Sequence, residues 1–300
     1  MFHPWMIRLV LLMKACLFIP LSSSATGAEL RLLGRDQALI SGVIEPGDAS
    51  KLESLLSVHR PSVVFVRSGG GDVRAAIEMG LLLRSLGAHV VVRDICLSSC
   101  ANYLFSLASA KSVEPGALLG FHGGVGGGAP SEGALKLLPS GTRLSLPQSG
   151  TASEDEFYRQ AVLQLLAELP AAVRGSVSAE DLISRLLEDR RTLVDLEARA
   201  LRIAGVSRDL LLLSGLVTAG EPKAICETYD VSAKGDSEVR CHTVRKSRHD
   251  FWLPCGKTLR ALGVRGLVGV ANELSPQLLR ERALDFGLDP ERLLLSCHDR

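Results

Sequence analysis

"VVFVRSGGGDVRAAIEMGLLLRSLGAHVVVRD", residues 63–94, changes periodicity twice. It opens on an unbroken apolar run of strand length. After the glycines, apolar residues recur at helical spacing and stop at Gly87. A second β-branched run then reads as another strand. A strand, a helix of this length and a strand with no room for a hairpin imply two parallel strands with the helix laid across one face.

Working outward, the unit extends in both directions. Upstream, "ELRLLG" and "ALISGVI" read as short strands, and "GDASKLESLLSVH" as a helix capped by Asp48 or Ser50. Downstream, "DICLSSCANYLF" (residues 94–105) takes the strand into a helix beginning at or just after Ser99. "KSVEPGALLGFH" gives a turn at Pro115–Gly116 and a buried strand ending at His122. The chain is therefore expected to be α/β with a parallel sheet.

From Gly123 the character changes. "GGVGGGAPSEG" and "LPSGTRLSLPQSGTASED" are rich in Gly, Ser and Pro and read as a flexible connection, with the first of them expected to be a mobile flap. Helical patterns follow at 154–169 and 178–205. Turn residues Lys234, Gly235 and Asp236 between two strand-like runs predict a hairpin at 223–245. "KTLRALGVRGLV" predicts a helix and a last strand before a Cys297 tail. The expected division is a signal segment at 1–28, a first core part at 29–122, a flexible and helical insertion at 123–194, and a second core part at 195–300.

The N-terminus reads as an export signal. Arg8 supplies the positive start, Leu9 to Leu21 the apolar centre, and "SSSATGA" a small-residue cleavage region ending near Ala28. Lys14 interrupts the apolar run, which is short for a transmembrane helix. The expected location is periplasmic or secreted, and membrane contact arises only if this segment stays uncleaved. Six cysteines remain beyond Cys16: Cys96, Cys100, Cys226, Cys241, Cys255 and Cys297. An even number suits an oxidising compartment. Their spacings and the lack of paired histidines argue against zinc, so no metal or cofactor is expected. Cys226 and Cys241 flank the hairpin turn. Cys96 and Cys100, four residues apart, are within disulfide reach on a tight elbow. The 300 residues carry a formal charge of +1, which gives no basic stripe for nucleic acid.

Three stretches carry candidate chemistry. "RSGGGD" (67–72) sits at a strand exit and helix entrance, where glycine amides can face an anion. It ends in aspartate where a phosphate loop needs Lys-Ser/Thr, so a developing oxyanion suits it better. "CLSSC" places serines on a strand-to-helix turn, the setting of an exposed nucleophile. "GFHGG" ends a strand on a histidine. All three fall in order on consecutive parallel units, at one edge of the sheet.

On these residues the chain resembles the Clp-protease and crotonase superfamily. "VFVRSGGGDVRAA" resembles its "NSPGG" turn, and "SCANYLFSLASAKSVEP" is similar, without a gap, to the serine segment of signal peptide peptidases of the SppA type. "ALLGFH" resembles the strand delivering the catalytic histidine, and "DFWLPCGKTLRALGV" the segment delivering the aspartate. The whole order resembles exported Clp-like proteins with a "C-x-S-A-C-A" signature. The resemblance implies a repeated β-β-α superhelix with a largely helical insertion. It also implies a serine hydrolase in which Ser99 is the nucleophile, His122 the base and Asp250 the orienting acid. The amides of Gly70 and Cys100 would form the oxyanion hole. Gly69 stands where the family has proline. Asp230, Asp236 and His249 share the region of Asp250, and Lys111 and Lys257 are the lysines weighed for a Ser–Lys dyad. The implied substrate is a peptide or unfolded protein, without an ATPase partner, and relatives' assembly makes a homo-oligomer the default. The alternative is an inactive Clp-like scaffold that binds a peptide or partner. Crotonase-type acyl-CoA chemistry fits poorly, because it needs no serine here.

Overall fold

The structure, a computed structural model, describes residues 27–138, 142, 159, 163, 166, 178–219, 222–230, 237–245 and 249–296, with backbone alone for 222–230 and 237–245. The signal segment falls almost wholly outside these residues, as does most of 139–177; of the helix predicted at 154–169 only residues 159, 163 and 166 are described, each of them helical.

The fold is α/β around a parallel sheet. Strand β1 (Glu29–Leu32) pairs antiparallel with β2 (Gln37–Ser41). Helix α1 (Asp48–Val58) leads to β3 (Val63–Ser68), and α2 (Val73–Leu86) leads to β4 (His89–Leu97). Strands β2, β3 and β4 run parallel in that order. The residues explain the crossovers. Val64, Val66, Val90 and Val92 are completely buried, while Ala75, Ala76, Met79 and Leu83 bring the apolar stripe of α2 into the same core. Asp72 caps α2 by accepting the Ala75 amide at 2.7 Å. Gly87, left-handed at φ 73°, ends it.

Strand β4 is the pivot. Its first half, His89–Val92, pairs with β5 (Ala110–Val113), and its second half, Ile95–Leu97, pairs with β6 (Leu118–Gly120). The change of partner coincides with a shift in the β3–β4 register between Val66 and Ser68 and with a left-handed Asp94 at φ 61°. Such a bulge bends a strand and re-aims the residues beyond it. Arg67 (3.4 Å) and Arg282 (3.1 Å) both pair with the Asp94 carboxylate at this bend.

A short helix α3 (Glu132–Leu135) comes after the glycine run. Then α4 (Ala179–Ala204) runs unbroken, so the boundary expected between 194 and 195 falls inside one helix. Ser178 caps it and Gly205, at φ 69°, ends it. Helix α5 (Asp209–Thr218) precedes the hairpin of β7 (Pro222–Asp230) and β8 (Ser237–Arg245), in which Cys226 lies directly opposite Cys241. Strand β9 (Phe251–Pro254) meets the end of β6 through paired Phe121–Trp252 backbone bonds of 2.8 Å each. The C-terminal region is more than a tail. After α6 (Gly256–Ala261), the stretch read as a last strand makes one bridge, Leu267 to Lys111. Helix α7 (Pro276–Asp285) and a true strand β10 (Leu293–Ser296), parallel to β9, come after it.

Candidate active site

The C-terminal ends of β3, β4 and β6 lie side by side, and each leads into one of the three candidate stretches. Ser98 leaves β4 in the left-handed conformation, φ 57°, which a non-glycine residue adopts at a cost of about 1–2 kcal/mol. Its amide still donates to Gly120 of β6 at 3.0 Å, and its carbonyl accepts the Asn102 amide at 2.8 Å. The backbone thus turns from strand into helix within one residue. The helix it enters, Cys100–Phe105, is a π-helix, a form that recurs at functional sites. Cys96 and Cys100 are joined by a disulfide with Cα atoms 5.3 Å apart, and Ser98 is the midpoint of the loop they close.

The structure pairs His122 with Ser98, one residue before the expected nucleophile. The Ser98 Oγ lies 2.6 Å from His122 Nε2. The other ring nitrogen, Nδ1, lies 2.8 Å from the carbonyl oxygen of Gly123. A carbonyl only accepts, so Nδ1 carries the proton and Nε2 is left to accept from the serine hydroxyl. The tautomer follows from the geometry. The His122 carbonyl is itself gripped by the Asn102 side-chain amide at 3.1 Å and the Ser214 hydroxyl at 3.0 Å.

Ser99 is buried and serves the backbone. Its Oγ accepts the Gly71 amide at 2.8 Å and donates to the Gly71 carbonyl at 3.1 Å. It therefore staples the elbow to the glycine turn. That turn needs its glycines: Gly71 has φ 148°, and a Cβ there would run into the Ile44 carbonyl. Gly70, φ 97°, faces Ser98 so closely that a Cβ would stand 2.6 Å from the serine Cβ and 3.0 Å from its Oγ. The bare Cα keeps the serine hydroxyl clear. The Gly70 amide, expected as an oxyanion donor, donates to Ser68 Oγ at 3.0 Å, and that hydroxyl donates to the Gly42 carbonyl at 2.6 Å. With Ser98 at the elbow, the next amide along the chain is that of Ser99. Cys100, whose amide was expected in the oxyanion hole, stands one residue further on and is completely buried.

Asp250 does not reach His122. It lies opposite Arg292, its carboxylate 2.6 Å from the guanidinium and its amide 2.7 Å from the Arg292 carbonyl. Side chains alternate along a strand. The neighbour, Phe251, is the one that reaches the histidine, with ring centroids 5.9 Å apart. Of the two lysines weighed for a dyad, Lys257 is exposed. Lys111 is buried beside Val90, eight residues down β4 from Ser98, with its ammonium 2.7 Å from the Ser106 carbonyl. Asp230 is described by backbone alone, and Asp236 and Cys297 lie outside the described residues. Cys255 is also disulfide-bonded.

The glycine run after His122 is packed at its start. Gly123 meets Gly215 of α5, where a Cβ on Gly123 would stand 3.0 Å from the Gly215 Cα. The Val125 and Gly126 amides both donate to Glu197 of α4 at 3.1 Å. The expectation of a flap took the lack of side chains as lack of packing. Here backbone packs against backbone. Among the described residues no three His, Cys, Asp or Glu side chains stand together as a metal site, and no helix is long and apolar enough to cross a membrane.

Sequence reasoning missed Ser98, Ser214 and Glu197. The "CLSSC" spacing held the signal for the first, because a disulfide between its cysteines centres the loop on Ser98. Nothing local marks the other two, whose hydrogen bonds to the His122 carbonyl and to Tyr103 span 92 and 94 residues of sequence.

No family model matches the chain, and neither does any curated protein. Among solved structures it is similar to a mutant of the 1510-N membrane-bound stomatin-specific protease, at 11% identity and TM-score 0.25. That match covers 45% of this chain and 65% of that one, so it spans just under two thirds of the protease. It is also similar to an enoyl-CoA hydratase from Mycobacterium avium subsp. paratuberculosis K-10, at 13% identity and TM-score 0.27, covering 63% and 94%. These scores are too low to add weight to the geometry described above.

Proposed function

We propose that the chain is an exported serine hydrolase acting on peptide bonds, with Ser98 as nucleophile and His122 as general base. The observation that carries this reading is the 2.6 Å contact between Ser98 Oγ and His122 Nε2 at a left-handed strand-to-helix turn. As Ser98 Oγ attacks a peptide carbonyl carbon, its proton passes to Nε2, and the Gly123 carbonyl keeps Nδ1–H aimed while the ring is charged. The same proton then goes to the leaving nitrogen. Water, deprotonated by His122, cleaves the acyl-serine and restores the hydroxyl. In this reading the Ser99 amide, next to the nucleophile, donates to the developing oxyanion. One such donor is worth about 3 kcal/mol in sites of this kind.

A carbonyl replaces the usual carboxylate as the group that orients the histidine. It fixes the tautomer but offsets the imidazolium charge less, so turnover is expected to be slow. Export is supported by the N-terminal pattern and by the Cys96–Cys100 disulfide, a bond that persists in oxidising compartments. No ATPase is expected there, which limits substrates to flexible or unfolded peptide. The Clp-protease and crotonase likeness rests on the order of the three motifs along the sheet edge.

A second reading, a scaffold that binds peptide without cutting it, is favoured by two observations: Asp250 is held by Arg292, and the Gly70 amide by Ser68. Incubating the protein with an unfolded, fluorescently quenched protein substrate separates the two. The hydrolase cleaves it, and Ser98→Ala abolishes cleavage while Ser99→Ala only reduces it. Binding of the substrate without cleavage by the unaltered protein supports the scaffold.

A further inference from the structure

Glu197, in the second half of α4, is 2% exposed, yet its carboxylate receives three hydrogen bonds. Oε1 accepts from the Tyr103 hydroxyl at 2.5 Å and from the Val125 amide at 3.1 Å, and Oε2 accepts from the Gly126 amide at 3.1 Å. These donors belong to two elements of the site. Tyr103 is on the π-helix that leaves the elbow, five residues after Ser98. Val125 and Gly126 come just after Gly123, the residue whose carbonyl orients His122. Gly124, between them, has no room for a side chain because a Cβ would strike the Glu197 carboxylate. Burial, and then the charge of Glu197, push the Tyr103 phenol far above its usual ionisation range, so it remains a donor.

We infer that Glu197 is the positioning residue of this centre: it locks the Gly123 carbonyl in place, and through it the Nδ1–H tautomer of His122. Its consequence for catalysis rests on the Ser98–His122 reading. The lock on the tautomer does not. A carboxylate is required, because both oxygens must accept. Glutamine presents an NH2 group to one of the donors, leaving a buried N–H facing another donor. The loop then shifts, the carbonyl leaves Nδ1, and the proton is free to move to Nε2, where it blocks acceptance from Ser98. Displacements of about 1 Å at such a contact cost on the order of 100-fold in rate.

The test compares the full chain with Glu197→Gln and with Glu188→Gln, an exposed position on the same helix. Nitrogen-15 spectra of the histidine rings, with His122→Asn for assignment, read the tautomer where imidazole is neutral. A fluorophosphonate reads the reactivity of Ser98. The expected result is a pure Nδ1–H tautomer in the unaltered protein and Glu188→Gln. In Glu197→Gln the two tautomers mix and phosphonylation slows by about 100-fold. A folded Glu197→Gln that keeps the pure Nδ1–H tautomer overturns the inference. Should Glu197→Gln fail to fold, Glu197→Asp, one methylene short of the loop, decides by the same spectra. If the unaltered protein never reacts with the probe, the hydrolase reading falls and the tautomer result still decides the role of Glu197.

Discussion

Ser98 and Ser99 carry the same hydroxyl one residue apart, and backbone conformation gives them different work. The left-handed turn at Ser98 sends its Oγ to His122, while Ser99, already in helical conformation, turns its Oγ to the glycine turn. The sequence placed a serine at the elbow, but it could not say which of two, since that depends on a φ value no side chain announces. The same blindness applies to Asp250. It lies in the segment that resembles the family's aspartate segment, but strand alternation gives the position beside His122 to Phe251 and leaves Asp250 paired with Arg292. Asp250→Asn should therefore leave the phosphonylation rate unchanged and cost less than about 1 kcal/mol of stability, as partly exposed ion pairs do. A triad aspartate would instead cost about 10⁴ in rate, as measured by probe kinetics.

At the scale of elements, the elbow carries a disulfide and the sheet a buried lysine. Closing a five-residue loop at Cys96–Cys100 removes only about 2 kcal/mol of unfolded-state entropy, so the bond acts mainly on local geometry. Reductant, or Cys96→Ser with Cys100→Ser, is expected to slow phosphonylation of Ser98 and leave far-ultraviolet circular dichroism unchanged. Equal rates in the two forms would show that packing alone holds the turn. In the sequence Lys111 was a candidate for a Ser–Lys dyad, and its burial was not legible there. Burial, with help from the charge of Arg84, pulls its ammonium down to about 7. Between about 7 and the ordinary 10.5 the unfolded chain holds more proton than the folded one, so stability rises with pH across that window. Below it both states are protonated and the penalty is constant. Urea unfolding over this range should show a slope of up to about 1.4 kcal/mol per pH unit, which Lys111→Met should remove.

For the whole molecule, the parallel sheet and the edge that carries the site were legible because hydrophobic periodicity and glycine turns are local signals. What was not legible came from far along the chain: α4 bringing Glu197, α5 bringing Ser214, and α7 bringing Arg282 to the bend in β4. The signal was expected to end at Ala28, yet the Ala28 amide donates to the buried Asp48 carboxylate at 2.8 Å, and Ala28 itself is buried. Burial raises the Asp48 carboxyl, but bonds from Lys51, Glu45 and Ala28 outweigh it and hold the group below its usual range. A chain beginning at Ala28 should thus exceed one beginning at Glu29 by about 1.5–3 kcal/mol in denaturant unfolding, the worth of a bond to a charged group.

The central claim is that His122 activates Ser98. Peptide mapping by tandem mass spectrometry after fluorophosphonate treatment tests it most directly. The account predicts one adduct, on Ser98, that disappears in His122→Asn and survives in Asp250→Asn. An adduct on Ser99, or none on the folded, oxidised protein, would contradict it.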